Sequence, residues 1–100
     1  MVPTPHPTPE SLNQETARIR WAELERHFAR GVVIRVEPAL DLVTVAVAFA
    51  NDDRAAVETW LETGAVRHLD TDTARDWRRR DPPLWAVVTA PWVLVQEDRM

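Results

Sequence analysis

The sequence LWAVVTAPWVLVQ, at residues 84–96, decides the fold class, because β-branched and aromatic residues surround its single proline. Such residues favour extended backbone, so we predict strand over Leu84–Ala90 and again over Trp92–Gln96. Proline has no backbone N–H to donate, and within a sheet it is confined to edge strands and bulges. We therefore predict a final strand interrupted at Pro91, which lies at a sheet edge or carries a bulge there.

Two segments upstream also have strand character. Val32–Val36 is short and rich in β-branched residues, and Pro38 marks a turn after it. Leu42–Ala50 alternates with period two, but it also fits a helical stripe formed by Leu42, Val45, Ala46 and Phe49. We prefer a strand, because valines at alternate positions stiffen the chain in extended form. Both of its faces are apolar, so this strand is predicted to be central and to form a β-hairpin with Val32–Val36.

The first helix is predicted from Ser11 to Gly31. Ser11, followed three residues later by Gln14, is typical of a capping box, and Gly31 suits the left-handed residue after a helix. Apolar residues between these ends recur at spacings of four, three and four, which is one helical face: Ala17, Trp21, Leu24 and Phe28.

Two further helices complete the predicted fold. One follows the cap residues at positions 51–53 and ends at Gly64. The other begins at Asp70 or Thr71 and ends before Pro82. We therefore predict an α+β fold with an N-terminal helix, a β-hairpin, two helices and a final Pro-interrupted strand. Its sheet is predicted to have three or four strands, mostly antiparallel.

The proline-rich start of the chain is predicted to lie outside the domain. Residues 2–9 place four prolines at alternate positions, which removes backbone donors and favours polyproline II. We predict a disordered tail over residues 1–10 and a single domain over residues 11–97. A chain of 100 residues is long enough for one core without disulfides.

Composition argues against several functional classes. The chain has no cysteine, which favours a reducing compartment, and its start has no signal-peptide pattern, so we predict a cytoplasmic protein. Its longest apolar run, Val45–Ala50, is too short to span a bilayer, so we expect no membrane partner. Its net charge of −4 argues against a broad nucleic-acid interface.

The sequence contains no clear catalytic or metal-binding pattern. Ser11 is the only serine and is needed as a helix cap, and His6, His27 and His68 lack metal-ligand spacing. Two glycines are too few for a glycine-rich phosphate loop. We therefore predict no catalytic residue, metal site or cofactor, and favour a protein that is not an enzyme. A pair of carboxylates brought together by the fold would not be visible at this level.

Two groups of residues are candidates for binding. Trp85 and Trp92 flank the proline of the last strand, and an exposed tryptophan beside an unpaired strand edge would anchor a partner. Core packing is the alternative explanation for both. Arg75, Arg78 and Arg79 lie near the end of the third helix and would clamp a phosphate or a carboxylate. We prefer the simpler explanation, a solvated helix end whose positive charge suits the C-terminal dipole.

Three stretches carry a family resemblance: ELERHFARGVVI at residues 23–34, DLVTVAVAFA at residues 41–50, and the stretch at residues 84–96. Over residues 11–97 the sequence resembles a family of small bacterial proteins classed as domain of unknown function 2288. The resemblance implies a bacterial cytoplasmic setting and no particular activity.

Two functional hypotheses from different classes follow. The first is a non-catalytic interaction module or accessory subunit, which binds a protein partner or forms a homodimer through its apolar final strand. The second is a small-molecule or anion-binding protein, or an enzyme, that uses the arginines near the third helix. A deep pocket with convergent polar groups would favour the second, and a flat apolar patch the first.

Deletion of residues 1–10 should leave the free energy of unfolding within about 0.5 kcal/mol of the full chain, as for changes at a surface. The physical reason is that this segment has no periodic apolar residues to contribute to a core. Chemical denaturation followed by tryptophan fluorescence measures the difference, and a larger loss of stability would show that the segment docks on the domain.

Overall fold

Four helices and five strands make up residues 16–98, the part of the chain that the structure, a computed structural model, describes. The strands are β1 (Ala17–Ile19), β2 (Val33–Val36), β3 (Val66–His68), β4 (Leu84–Thr89) and β5 (Trp92–Glu97). The helices are α1 (Trp21–Ala29), α2 (Leu42–Ala50), α3 (Arg54–Thr63) and α4 (Thr71–Arg80). The predicted tail at residues 1–10 and the predicted cap Ser11 lie outside the described residues.

The five strands form one mixed sheet in the order β1-β4-β5-β2-β3. Strands β5 and β2 are parallel, and the other neighbouring pairs are antiparallel. The α+β class is therefore confirmed, but the sheet has more strands than the three or four predicted. Strands β1 and β3 are not predicted from the sequence, because each has only three residues and is too short for a period-two pattern.

The sheet separates two apolar cores. On one face, α1 and α4 pack against Val93 and Val95 of β5, and Leu24 and Trp77 are almost fully buried there. On the other face, α2 and α3 pack against a surface that includes Leu94. Successive side chains of a strand point to opposite faces, so β5 contributes to both cores.

The segment Leu42–Ala50 is helix α2, so the predicted central strand there is wrong. The carboxylate of Asp41 caps this helix by accepting the Thr44 backbone N–H at 3.3 Å and the Thr44 hydroxyl at 2.7 Å. Its buried side chains include three at helical spacing: Leu42, Val45 and Ala46. Packing of this face on the sheet outweighs the strand preference of the valines, which depends on context. Strand β2 consequently pairs with β3 and β5 and forms no hairpin with this segment.

The first helix begins at Trp21 and not at Ser11, because residues 17–19 are strand. Strand β1 pairs with β4, so the backbone ahead of the helix is extended. Arg20, itself extended, supplies the carbonyl that accepts the backbone N–H groups of Glu23 and Leu24. Trp21 and Leu24 of the predicted apolar stripe are buried, so the helical phase was right in this part.

Strands β4 and β5 are both interior strands, so the predicted single interrupted strand at a sheet edge is wrong. They form an antiparallel hairpin in which Thr89 pairs with Trp92 across the turn Ala90-Pro91, whose peptide bond is cis. Pro91 has no backbone N–H, but it lies in the turn, where the sheet needs no hydrogen-bond donor. Strand β4 also pairs with β1 at residues 84–86, and β5 pairs with β2 at residues 93–95, so the final strand lies between two neighbours. The argument for a homodimer through an unpaired final strand therefore fails, and the oligomeric state stays a prediction.

Gly64→Ala should destabilise the protein by roughly 1 kcal/mol, because an L side chain is strained in a left-handed conformation. Gly64 ends α3 with φ +80°, and a β-carbon there would meet no atom within 4 Å, so the cost is conformational and not steric. Urea denaturation compares this variant with Glu62→Ala, an exposed position inside the same helix. Equal stability of Gly64→Ala and the parent protein would contradict the left-handed helix end.

Candidate functional site

A cavity of about 570 Å³ opens on the α2–α3 side of the sheet, at the end where β4 turns into β5. We call it the α3 groove. Its lining includes Phe49, Val57, Leu61, His68, Pro91 and Trp92. Its acidic rim consists of Asp52, Asp53 and Glu58. The volume is within the range of sites that hold small ligands or a few side chains of a partner.

Trp92 and His68 form the floor of the α3 groove. Trp92 begins β5 and His68 ends β3, and both strands flank β2, which places the two rings on the same face of the sheet. The ring centroids are 5.5 Å apart and the planes make an angle of 74°, which is an edge-to-face contact. Trp92 is half-buried, so part of its indole faces the groove.

Helix α3 forms one wall of the groove and is only shallowly packed. None of its residues is buried. Val57 and Trp60 are half-buried, and Leu61 is 48% exposed. The apolar stripe of this helix is therefore incompletely covered by the sheet, which leaves apolar surface at the edge of a concave site.

The turn between α2 and α3 fixes acidic side chains at the mouth of the groove. Asp52 has φ +55°, and the backbone N–H of Asp53 donates to the carbonyl of Ala48 at 2.9 Å. The Asp53 carboxylate then caps α3 by accepting the backbone N–H of Ala56 at 3.3 Å. Local capping chemistry therefore positions two carboxylates where the helices meet.

The rim has an excess of negative charge. Arg54, the arginine in the lining, has its Nε 3.7 Å from Oδ2 of Asp52, and these side chains are 81% and 80% exposed. An ion pair this exposed contributes little. Glu58 forms no ion pair or hydrogen bond with any residue from 16 to 98. Three carboxylates against one guanidinium therefore leave the mouth of the groove acidic.

Comparison with known proteins identifies the family. A family model described as protein of unknown function (DUF2288) matches residues 8–97. The chain belongs to this family. It is similar to the NMR solution structure of PA1075 from Pseudomonas aeruginosa, with 53% sequence identity and a TM-score of 0.81. The match covers 89% of this chain and 82% of that one. No curated protein matches the sequence. The family resemblance drawn from sequence is confirmed, and nothing in these comparisons indicates a specific activity.

The two tryptophans predicted to bind a partner lie at opposite ends of the hairpin in this DUF2288 chain. Trp92 is in the α3 groove, whereas Trp85 pairs with Gln96 near the far end of β4. The guanidinium of Arg18 stacks over the Trp85 ring at 4.3 Å, and Trp85 Nε1 donates to Asp98 at 3.3 Å. Arg18 and Asp98 also form an ion pair at 2.8 Å. Trp85 therefore already has charged partners within the chain.

The predicted anion-binding residues Arg75, Arg78 and Arg79 lie on α4, across the sheet from the groove. Arg79 donates to Asp76 at 3.0 Å, while Arg75 and Arg78 form no ion pair within the described residues. The fold thus separates these arginines from the candidate groove. Their role in anion binding stays a prediction.

Residues 16–98 contain neither a metal-binding cluster of side chains nor a membrane-spanning helix. No group of three or more histidine and acidic side chains there is arranged to hold a metal ion. In the same part of the chain, no helix is both long and apolar enough to cross a membrane.

Sequence reasoning missed the structural roles of Gln96 and Glu97. The amide of Gln96 donates to the carbonyls of Glu37 at 2.9 Å and Leu40 at 2.6 Å, which fixes the loop ahead of α2. Glu97 accepts a hydrogen bond from the indole N–H of buried Trp77 at 3.1 Å. Polar residues at a strand end have no periodic pattern, so only the fold reveals these contacts.

The same end of the sheet contains a network that links stability to pH. Arg80 donates to both Asp76 and Glu97. Hydrogen bonds from Arg80, and then from Arg79, lower the pKa of Asp76 from 3.8 to about 2. A carboxyl group with a lowered pKa in the folded state stabilises the fold above its unfolded pKa, and this contribution is lost as the pH falls through the folded pKa.

Asp76→Asn should make stability less dependent on pH between about pH 4 and pH 2, because the variant has no carboxylate to protonate there. The parent protein should therefore lose more stability than the variant over this window. Urea denaturation at a series of pH values measures both. Asp72→Asn on the same helix is the control, since no described arginine pairs with Asp72. Parallel curves for Asp76→Asn and the parent would contradict the assigned role.

Proposed function

We propose that this chain is a non-catalytic interaction module of the bacterial cytoplasm and that a protein partner docks in the α3 groove. The observation that carries the proposal is the apolar surface left open there. Leu61 is 48% exposed on a helix without a buried residue, and it lines the same cavity as half-buried Trp92. Tryptophan in a concave, partly desolvated site is a frequent energetic anchor of protein interfaces.

Of the two tryptophans predicted to bind a partner, Trp92 supports the proposal better. Arg18 stacks over the ring of Trp85 and Asp98 accepts its indole N–H, so a partner arginine stacking there would have to displace a cation–π contact. The ring contact of Trp92 among the described residues is an edge-to-face contact with His68. A partner side chain can therefore reach Trp92 without breaking an ion pair.

The lining of the groove favours binding over catalysis. None of its side chains carries a hydroxyl, thiol or amine, and its three carboxylates are exposed to solvent at the rim. The imidazole of His68 packs against Trp92. The cytoplasmic setting is part of the proposal: a cysteine-free sequence suits a reducing compartment, and the similar structure comes from a bacterium.

Leu61→Glu should abolish capture of the partner, and Val88→Glu should not. Val88 is 60% exposed on β4 and lies outside the groove lining, so the two variants place the same charge at two open apolar positions. Each purified protein is immobilised and exposed to a lysate of the native host, and retained proteins are quantified by mass spectrometry. A protein retained by the parent and by Val88→Glu should be retained at least about tenfold less by Leu61→Glu, as for loss of an interface anchor.

Sedimentation of the three purified proteins over a range of concentrations identifies the kind of partner. A dimer that Leu61→Glu dissociates would make the partner a second copy of the chain. Retention of the same proteins by all three forms, with every form monomeric, would contradict docking in the groove. Chemical denaturation confirms first that both variants are folded.

A further inference from the structure

We propose that the α3 groove selects a basic partner segment, in which an arginine stacks on Trp92 while an adjacent apolar side chain packs against Leu61. This inference rests on the proposed function, because it assigns the chemistry of the partner to the same groove. It is carried by the charge of the rim and by an arrangement that the chain already contains at the other end of its central hairpin.

That internal arrangement consists of one tryptophan, one arginine and one carboxylate. The Arg18 guanidinium lies 4.3 Å from the centre of the Trp85 ring, and the same guanidinium is 2.8 Å from the Asp98 carboxylate. Trp85 and Trp92 point to the same face of the sheet, since both belong to the apolar cluster under α2 and α3. This face therefore accommodates a guanidinium held between an indole and a carboxylate.

The groove end repeats two of these three components. Trp92 supplies the indole, and the rim supplies carboxylates, with Glu58 free of any ion pair or hydrogen bond within residues 16–98. No arginine of the same range stacks on Trp92. Arg54 is directed to Asp52, at 3.7 Å. An arginine from a partner would supply the third component, with its ring contact strengthened by partial desolvation of the site.

Charge and shape together favour arginine over other cations. The planar guanidinium stacks on an aromatic ring and binds a carboxylate in two parallel hydrogen bonds, which an ammonium group does not do. The excess of two negative charges at the mouth attracts a basic segment and repels an acidic one. The apolar wall at Leu61, which stays 48% exposed, needs a second, uncharged side chain beside the arginine.

Three tripeptides test the inference on the full ¹⁵N-labelled chain: acetyl-Leu-Arg-Leu-amide, and the same peptide with Gln or Glu in the central position. Binding is followed by NMR, with the Trp92 indole signal assigned from Trp92→Phe. The Arg peptide should shift the Trp92 indole and the amides of Glu58 and Leu61. It should bind about twofold to fivefold more tightly than the Gln peptide, as for exposed charge contacts, and the Glu peptide should bind least. Added salt should weaken the Arg peptide selectively.

Variants of the rim locate the source of the preference. Glu58→Gln should reduce the ratio between the Arg and Gln peptides, whereas Glu25→Gln, an exposed position on α1 across the sheet, should leave it unchanged. Equal binding of the Arg and Gln peptides to the groove would overturn the selection of a basic segment and leave the groove as a docking surface. Shifts confined to the Trp85 end, or no shift with any peptide at millimolar concentration, would also overturn the inference. The proposed function is tested independently by the capture experiment, in which Val88→Glu should retain the partner and Leu61→Glu should not.

Discussion

Strand β5 has to bury apolar side chains on both of its faces, and the layers around it follow from this requirement. Val93 and Val95 need cover on one side of the sheet and Leu94 on the other. Helices on one side alone would leave the opposite apolar surface in water, at a cost of about 25 cal/mol per Å². The backbone of β5 also needs a hydrogen-bonded neighbour on each side, because water does not reach its polar groups. The structure meets these needs with α1 and α4 on one face, α2 and α3 on the other, and β4 and β2 as neighbours.

The same requirement decides the conformation of Leu42–Ala50. Its sequence fits both a strand and a helical stripe, so local preference leaves the choice open. As a helix, it packs Val45 and Ala46 against the central strands of the sheet, whereas a strand in its place would leave that face with less cover. The cap at Asp41 is a local indication of the helix, and the amide of Gln96 on β5 holds the preceding loop through the carbonyls of Glu37 and Leu40. The tertiary demand therefore outweighs the valines, as expected for a context-dependent strand preference.

Strong local rules made part of the fold predictable. The left-handed stop at Gly64 and the cap at Asp70 mark helix ends by the chemistry of one residue, and both occur where the sequence indicates. The strand content of residues 84–96 is also predictable from the sequence. The pairing of these strands is not, because a proline between two apolar stretches is compatible with an interrupted edge strand and with a hairpin turn. The groove was beyond sequence reasoning altogether. The sequence indicates Trp92 only through its place beside a proline-interrupted strand, whereas in the fold it lines a cavity together with Phe49 of α2 and His68 of β3.

The tryptophans at the two ends of the central hairpin differ in their contacts. Trp85 has charged partners within the chain, whereas the ring contact of Trp92 is with His68. All twelve basic residues of the chain other than histidine are arginine. At one end of the hairpin, two of them pair with groups of the chain itself. Arg18 stacks on Trp85 and binds Asp98, and Arg80 joins α4 to Glu97, which also holds the indole of Trp77. A planar guanidinium can stack on a ring and bind a carboxylate at the same time. Each of these contacts therefore occupies an aromatic ring or a charged group within the chain. At the other end, Trp92 has carboxylates nearby and no stacked arginine within the described residues. Within residues 16–98, the open tryptophan and the unpaired carboxylate of this face therefore lie together in the lining of the α3 groove, beside the turn between β4 and β5.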